Sequence, residues 1–155
     1  MLLKINGKRH WLWRAVDQDG VVLDILVQER RDQAAAERFL HRVLGSCEYE
    51  PRVVITDKLA SYVPAVERVL PNAEHRRHKR LNNRAENSHL PTRKRERVLQ
   101  RFKSAEHAQR FLGPFSAMCN HFRPRRHRLT ASMYRQIRTD RHATWLEVTL
   151  ARVGA

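Results

Sequence analysis

Residues 10–31, HWLWRAVDQDGVVLDILVQERR, hold two apolar runs on either side of a polar turn, and the fold is read outward from them. From His10 to Val16, Trp11, Trp13 and Ala15 alternate with Leu12, Arg14 and Val16, the period of two that sends successive side chains to opposite faces of a strand. Gln18-Asp19-Gly20 makes a turn, and Val21 to Val27 reads as the returning strand. Upstream, Leu2 to Ile5 ends in Asn6-Gly7, a pair that tolerates the positive φ values of a tight hairpin. The chain is therefore expected to open as a three-stranded antiparallel meander. The regular alternation makes Trp11 and Trp13 core residues rather than a platform for stacking bases.

Beyond the meander the period changes. Asp32 suits the N-cap of a helix in which Ala36, Phe39, Leu40, Val43 and Leu44 recur at helical spacing, closed by Gly45. The short run Arg52-Val53-Val54-Ile55-Thr56 has the composition of a strand buried on both faces, and Asp57 stands at its end. A second helix is expected from Ala60 to Leu70, broken by Pro71-Asn72. The basic stretch EHRRHKR then leads into a long helix that begins near Asn83 and runs towards Gln100 across Pro91. Ser104 caps a further helix reaching about His121, and Thr130 a last one ending near Val148. Strands first and alternating helices later predict an α/β chain with a mixed sheet, without internal repeats. The expected division is a domain over residues 1–103, completed by basic C-terminal helices over 104–155.

The chain has 155 residues, 41% hydrophobic and 30% charged, enough apolar material for one domain with a core. No stretch is apolar enough for a membrane span, and the N-terminus lacks the pattern of a secretory signal, so the cytoplasm is the expected compartment. Cys47 and Cys119 form neither a CxxC pair nor a zinc-type spacing and are expected to be reduced and partly buried. The net charge of +15 is unevenly placed. Residues 1–74 carry 11 Lys/Arg against 11 Asp/Glu, whereas residues 75–155 carry 20 against 5. A basic half of this kind points to a polyanion, because Lys and Arg that displace counterions from phosphates supply most non-specific nucleic-acid affinity.

Asp57 is the sharpest residue of the first half. A carboxylate at the C-terminal end of a strand lies where α/β sheets bind ligands, and it can hold magnesium, which prefers oxygen donors. The other role open to it is N-cap of the following helix. Glu86 falls in the first turns of the helix near Asn83, where the macrodipole favours an acid without further function. Together, a carboxylate at a strand end and another on a later helix could serve two metal ions in phosphodiester chemistry. His75 and His78 form an H-x-x-H pair, but without accompanying cysteines they read as phosphate contacts or solvated loop. The runs Arg93 to Arg97 and Arg123 to Arg128 are either solvated helix faces or tracks for phosphate, and the charge asymmetry favours the second.

Four segments carry a resemblance: HWLWRAVDQDGVVLDILVQERR at 10–31, VVITDKLASY at 53–62, EHRRHKRLNNRAENSH at 74–89 and RKRERVLQRFKSAEHAQRFL at 93–112. In this order and spacing they closely resemble transposases of the insertion sequence six family, over nearly the whole chain. The resemblance implies a ribonuclease-H-like fold that gathers three acidic residues around two divalent metals, Mg2+ being the expected cofactor. It identifies Asp57 as the second acidic residue and Glu86 as the third, with the 28 residues 58–85 between them. Asn82, Asn83 and Arg84 would shape the rim. Arg76, Arg77, Lys79, Arg80, Arg84, Arg93, Lys94 and Arg95 are the cations expected to follow DNA, and a homo-oligomer is expected of the intact protein.

Family members carry their first acidic residue a few positions before the segment matching Leu3 to Gly7, with a helix-turn-helix region further upstream. Residues 1–16 hold no Asp or Glu. Asp17 is not expected to substitute, because it shares a face with Trp11 and Trp13 and the family's acid points to the other. The expectation is thus a DDE-type transposase shortened at its N-terminus, with little or no strand-transfer activity by itself. The alternative is a non-catalytic basic DNA-binding remnant that associates with an intact transposase. A basic RNA-binding protein finds no recognisable RNA motif to support it.

Overall fold

The computed structural model describes residues 1–47, 49–78, 83–99, 101–124 and 128–150, with the backbone only at 83, 84 and 86. Its elements follow the order β1 (Leu2–Ile5), β2 (Lys8–Val16), β3 (Val22–Gln28), α1 (Gln33–Gly45), β4 (Val53–Thr56), α2 (Tyr62–Val69), β5 (Glu74–Arg77), α3 (Asn83–Val98), α4 (Ala105–Phe122) and α5 (Ala131–Leu150). Two compact units result, Met1–Gly113 and Pro114–Ala155.

The meander forms as its alternation requires. β1 pairs antiparallel with β2, Leu2 opposite Trp11 and Ile5 opposite Lys8, across a turn with Asn6 at φ 49° and Gly7 at φ 80°. β2 pairs antiparallel with β3 in a register that places Trp13 opposite Leu26 and Arg14 opposite Ile25, with an irregularity between Ala15 and Val16. Asp17 builds the second turn: its Oδ1 accepts the N–H groups of Asp19 (2.8 Å) and Val21 (2.9 Å) while Gly20 takes φ 80°. Its carboxylate thus organises the turn between β2 and β3.

Cross-strand partners share a face, so the two faces of the sheet follow from the register. On one face Trp13, buried, packs with Ala35, Ala36, Phe39 and Leu40 of α1 and Ala65 and Val66 of α2, with Trp11, Ala15 and Leu26 alongside. The rings of Phe39 and Tyr62 lie 5.9 Å and 5.5 Å from that of Trp13. The other face carries the buried Leu3, Ile5, Leu12 and Ile25. There Arg14 reaches α3, donating from Nη1 to Ser88 O (2.9 Å) and from Nη2 to the fully buried Thr92 Oγ1 (2.5 Å). Gln109 of α4 continues the edge of β3, accepting from Val27 N (2.8 Å) and donating to Ile25 O (3.1 Å). Helices thus flank the meander on both sides.

The caps are where the residue types demand them. Asp32 Oδ1 accepts from Ala35 N (2.8 Å), Ser104 Oγ from His107 N (3.0 Å) and Thr130 Oγ1 from Met133 N (3.3 Å). α3 runs through Pro91 and α4 through Pro114, each a residue that cannot donate to the preceding turn. In the second unit Arg141 of α5 donates from Nη1 to Asn120 O (3.0 Å) and His121 O (2.6 Å), and Phe122 packs on Trp145 with centroids 5.4 Å apart.

Two expectations are corrected. The basic stretch after Asn72 includes a strand, β5, which pairs parallel with β4 from Val53–Glu74 to Thr56–Arg77. β4 itself is not buried on both faces: Thr56 is buried, but Val53 and Ile55 are 37% and 41% exposed. Successive side chains point to opposite faces: Val54 packs on the core that α1 and α2 build, whereas Val53 and Ile55 point the other way and stay partly exposed. Among the described residues the strands fall into two hydrogen-bonded sets, β1-β2-β3 and β4-β5. Parallel and antiparallel pairs both occur, as a mixed α/β chain requires.

Candidate active site and nucleic-acid interface

The chemistry-bearing side chains gather where β4 ends. Thr56, buried, donates from Oγ1 to Asp57 O (3.0 Å), and His75 Nε2 of the neighbouring strand lies 2.8 Å from the same Oγ1. A hydroxyl has one proton, so with that proton given to Asp57 O the imidazole is the donor, from Nε2. Burial, and then the charge of Arg77, hold the His75 pKa below its ordinary value. His75 is thus a half-buried strand residue, hydrogen-bonded to β4, and not part of a solvated loop.

Both oxygens of Asp57 are engaged. Oδ1 accepts Leu59 N (3.0 Å), a local turn that bends the chain towards α2, and Oδ2 accepts Arg31 Nη2 (2.6 Å). The helix N-cap role open to Asp57 falls instead to Ser61, four residues on, which has no side-chain cap bond. Arg31 comes from the short link between β3 and α1. Its guanidinium carbon stands 4.9 Å from the centroid of the Trp11 ring, within cation–π range. Both charged side chains are about one-third exposed, 33% for Arg31 and 32% for Asp57. The phenol of Tyr62 lies in the same neighbourhood; burial raises its pKa most, the charge of Asp57 raises it further, and Arg31 opposes.

Glu86 lies in the first turn of α3, with Asn83 and Arg84, and the side chains of all three are outside the described residues, as are Lys79, Arg80 and Asn82 altogether. Among the described residues no group of three or more His, Cys, Asp or Glu is close enough to hold a metal ion. A second cation beside the Arg31 guanidinium is repelled by it, so as arranged the described residues do not fit a divalent ion.

Arg76 gives Nε and Nη2 to the two oxygens of Glu74, both at 2.7 Å, which holds the Glu74 carboxyl below its ordinary pKa. Arg77 Nη2 is 3.4 Å from Lys58 O. Arg93, Lys94, Arg95 and Arg97 are exposed along α3. Glu96 sits among them, its pKa raised by burial against the pull of Arg93, Arg101 and Arg97. Sequence reasoning missed Arg31, Trp11 and Arg14 as parts of the site's frame. Arg14 had a signal, a charge within the apolar run Trp11 to Val16, but Arg31 is one of two adjacent arginines in a loop and had none.

Residues 1–125 match the DDE domain of the IS240 transposase type, and the chain belongs to that family. It is 32% identical over 109 residues to a transposase for insertion sequence-like element IS431mec of Staphylococcus aureus, a match covering 67% of this chain and 48% of that protein. A transposase for insertion sequence element IS257 in transposon Tn4003, also from Staphylococcus aureus, matches to the same extent. An uncharacterised protein of Yersinia pseudotuberculosis, pYV0051, is 36% identical over 70 residues, 44% of this chain and 65% of that one. The chain spans about half the length of the curated transposases it matches. No solved structure matches it significantly. The family is the one the four sequence segments resembled, and the mixed α/β architecture agrees with its ribonuclease-H-like fold. DDE transposases as a family use divalent metal. Among the described residues no helix is long and apolar enough to cross a membrane.

Proposed function

We propose that this chain acts on DNA in transposition, as part of a DDE transposase that cuts phosphodiester bonds and joins the resulting ends to a target. The observation that carries the reading is the match of residues 1–125 to the DDE domain. Asp57, at the carboxyl end of β4, and Glu86, on α3, are the acidic residues assigned to the reaction, with Mg2+ as the family's expected ion. Arg77, Lys79, Arg80, Arg84 and the exposed cations of α3 follow the DNA backbone; Arg76 joins them by exchanging Glu74 for phosphate. DNA carrying the element's ends and target DNA are the partners, the working form is a homo-oligomer, and the compartment is the bacterial cytoplasm. Residues 1–103 form the catalytic-type domain, with 104–155 adding basic helices.

A second reading, DNA binding without catalysis, is favoured by one observation: the Asp57 carboxylate is already paired with Arg31. Binding and cutting of duplex DNA that carries family-type ends, by the wild type and Asp57→Ala, separate the two. Metal-dependent cutting that Asp57→Ala abolishes with binding retained supports the first. Binding without cutting in both proteins, the behaviour expected of a shortened transposase by itself, supports the second for this chain, and absence of DNA binding overturns both.

A further inference from the structure

We propose that Arg31 is the resident cation of the Asp57 site, so that its guanidinium and a divalent ion compete for one carboxylate. The inference rests on Asp57 being a metal ligand, and it starts from the mismatch between that role and the geometry. Arg31 Nη2 lies 2.6 Å from Asp57 Oδ2, a charge-assisted contact on the oxygen not used by the Leu59 N–H. The guanidinium is held there from two further directions. Its other flank rests over Trp11, and its backbone is fixed by the next residue, Asp32, whose side chain caps α1 on Ala35 N (2.8 Å). Arg31 is therefore delivered to Asp57 by the start of α1 and the face of β2, not by a chance meeting of two long side chains.

The pair is well placed to exchange. Both side chains are about one-third exposed, so water screens the attraction and a hydrated ion can reach the carboxylate. The Trp11 ring offers the guanidinium a contact that does not depend on Asp57. In the absence of metal the guanidinium balances the Asp57 charge beside the buried Tyr62 phenol. Arg31 is a positioning residue in this scheme: it sets the charge state that an arriving ion meets, and it touches neither substrate nor scissile bond.

The test is Mn2+ binding to the full chain, by calorimetry and by the electron paramagnetic resonance of free Mn2+, in wild type, Arg31→Gln, Arg31→Lys, Asp57→Asn and the double variant R31Q/D57N. Removing the competing charge is expected to tighten Mn2+ binding about three- to tenfold in R31Q. R31K, which keeps a cation, stays near wild type, and R31Q/D57N loses the gain. Wild-type protein gives a second measurement that needs no substitution: the Arg31 side-chain NMR resonances shift with Mg2+ at the midpoint of ion binding. Mn2+ binding that is sensitive to D57N but unchanged or weaker in R31Q overturns the competition and leaves Asp57 as a ligand. No D57N-sensitive binding in any of these proteins overturns both.

Discussion

Arg93 and Arg97 stand four residues apart on α3, and on a helix positions i and i+4 share a face, so one phosphate track meets both side chains while Lys94 and Arg95 turn away from it. Both are exposed. Replacing them together with alanine removes two phosphate contacts if the basic half of the chain binds DNA through this face. Each neutralised phosphate contributes about 0.9 to the slope of log affinity against log salt, so the double substitution is expected to lower that slope by about 1.8. Between 50 and 200 mM salt, a fourfold change, the ratio of variant to wild-type Kd then shrinks about 12-fold. Fluorescence anisotropy of a labelled duplex of arbitrary sequence, titrated at several salt concentrations, reads this directly. Arg42→Ala is the control: its guanidinium is committed to Asp24 at 2.6 Å in the charge-balanced half, and its loss leaves the slope unchanged. Parallel salt plots for wild type and R93A/R97A refute the assignment of this face to DNA, whatever the loss of affinity at one salt concentration.

Trp13→Ala empties the contact between the sheet and α1 and α2 and should destabilise the first unit by about 3–5 kcal/mol, read from denaturant unfolding followed by circular dichroism. A loss under about 1 kcal/mol would mean that Trp13 does not bridge those layers. Asp32→Ala removes the N-cap bond to Ala35 and should cost about 0.5–2 kcal/mol in the same assay, with Asp32→Asn recovering most of it. The His89 pKa is pushed down to about 3, by burial first and then by the charges of the N-terminus, Arg14 and Arg93. The folded state therefore binds fewer protons than the unfolded state below the ordinary value of 6.5, and stability falls as pH drops from there towards 3. Discounted for partial exposure, the loss by pH 5.5 is about 1 kcal/mol, and His89→Gln should flatten the pH dependence; an unchanged pH profile in that variant rules His89 out as its source.

What was legible in the sequence was whatever leaves a local period or a local cap. The meander was readable because Trp11, Trp13 and Ala15 face one layer and Asn6-Gly7 admits one kind of turn. The helices were readable because Asp32, Ser104 and Thr130 each satisfy an amide within three residues. β5 left no such mark. Three of its four residues, Glu74, Arg76 and Arg77, are exposed, so no apolar alternation distinguishes EHRR from a basic loop. Its strand character comes from β4, twenty-one residues away in register, and pairing at that range is invisible to periodicity. The open face of β4 is hidden for a related reason: an apolar run of four or five residues looks alike whether one or both of its faces are covered.

The site divides along the same line. Asp57 could be singled out because a carboxylate ending an apolar run occupies a position with chemical meaning in any α/β sheet. Its partner could not, because Arg31 and Asp57 meet only after β3, α1 and β4 have packed, and nothing in ERRD says which arginine will lie over Trp11. Yet the partner decides what the carboxylate offers. An aspartate with an open edge is a cation ligand in waiting, whereas one holding a guanidinium at 2.6 Å already has its cation and must give it up to take another. Positional resemblance identifies which residues a family uses. The ion pair sets the condition under which this chain can use Asp57, and that condition is a charge exchange between a loop arginine and an incoming ion.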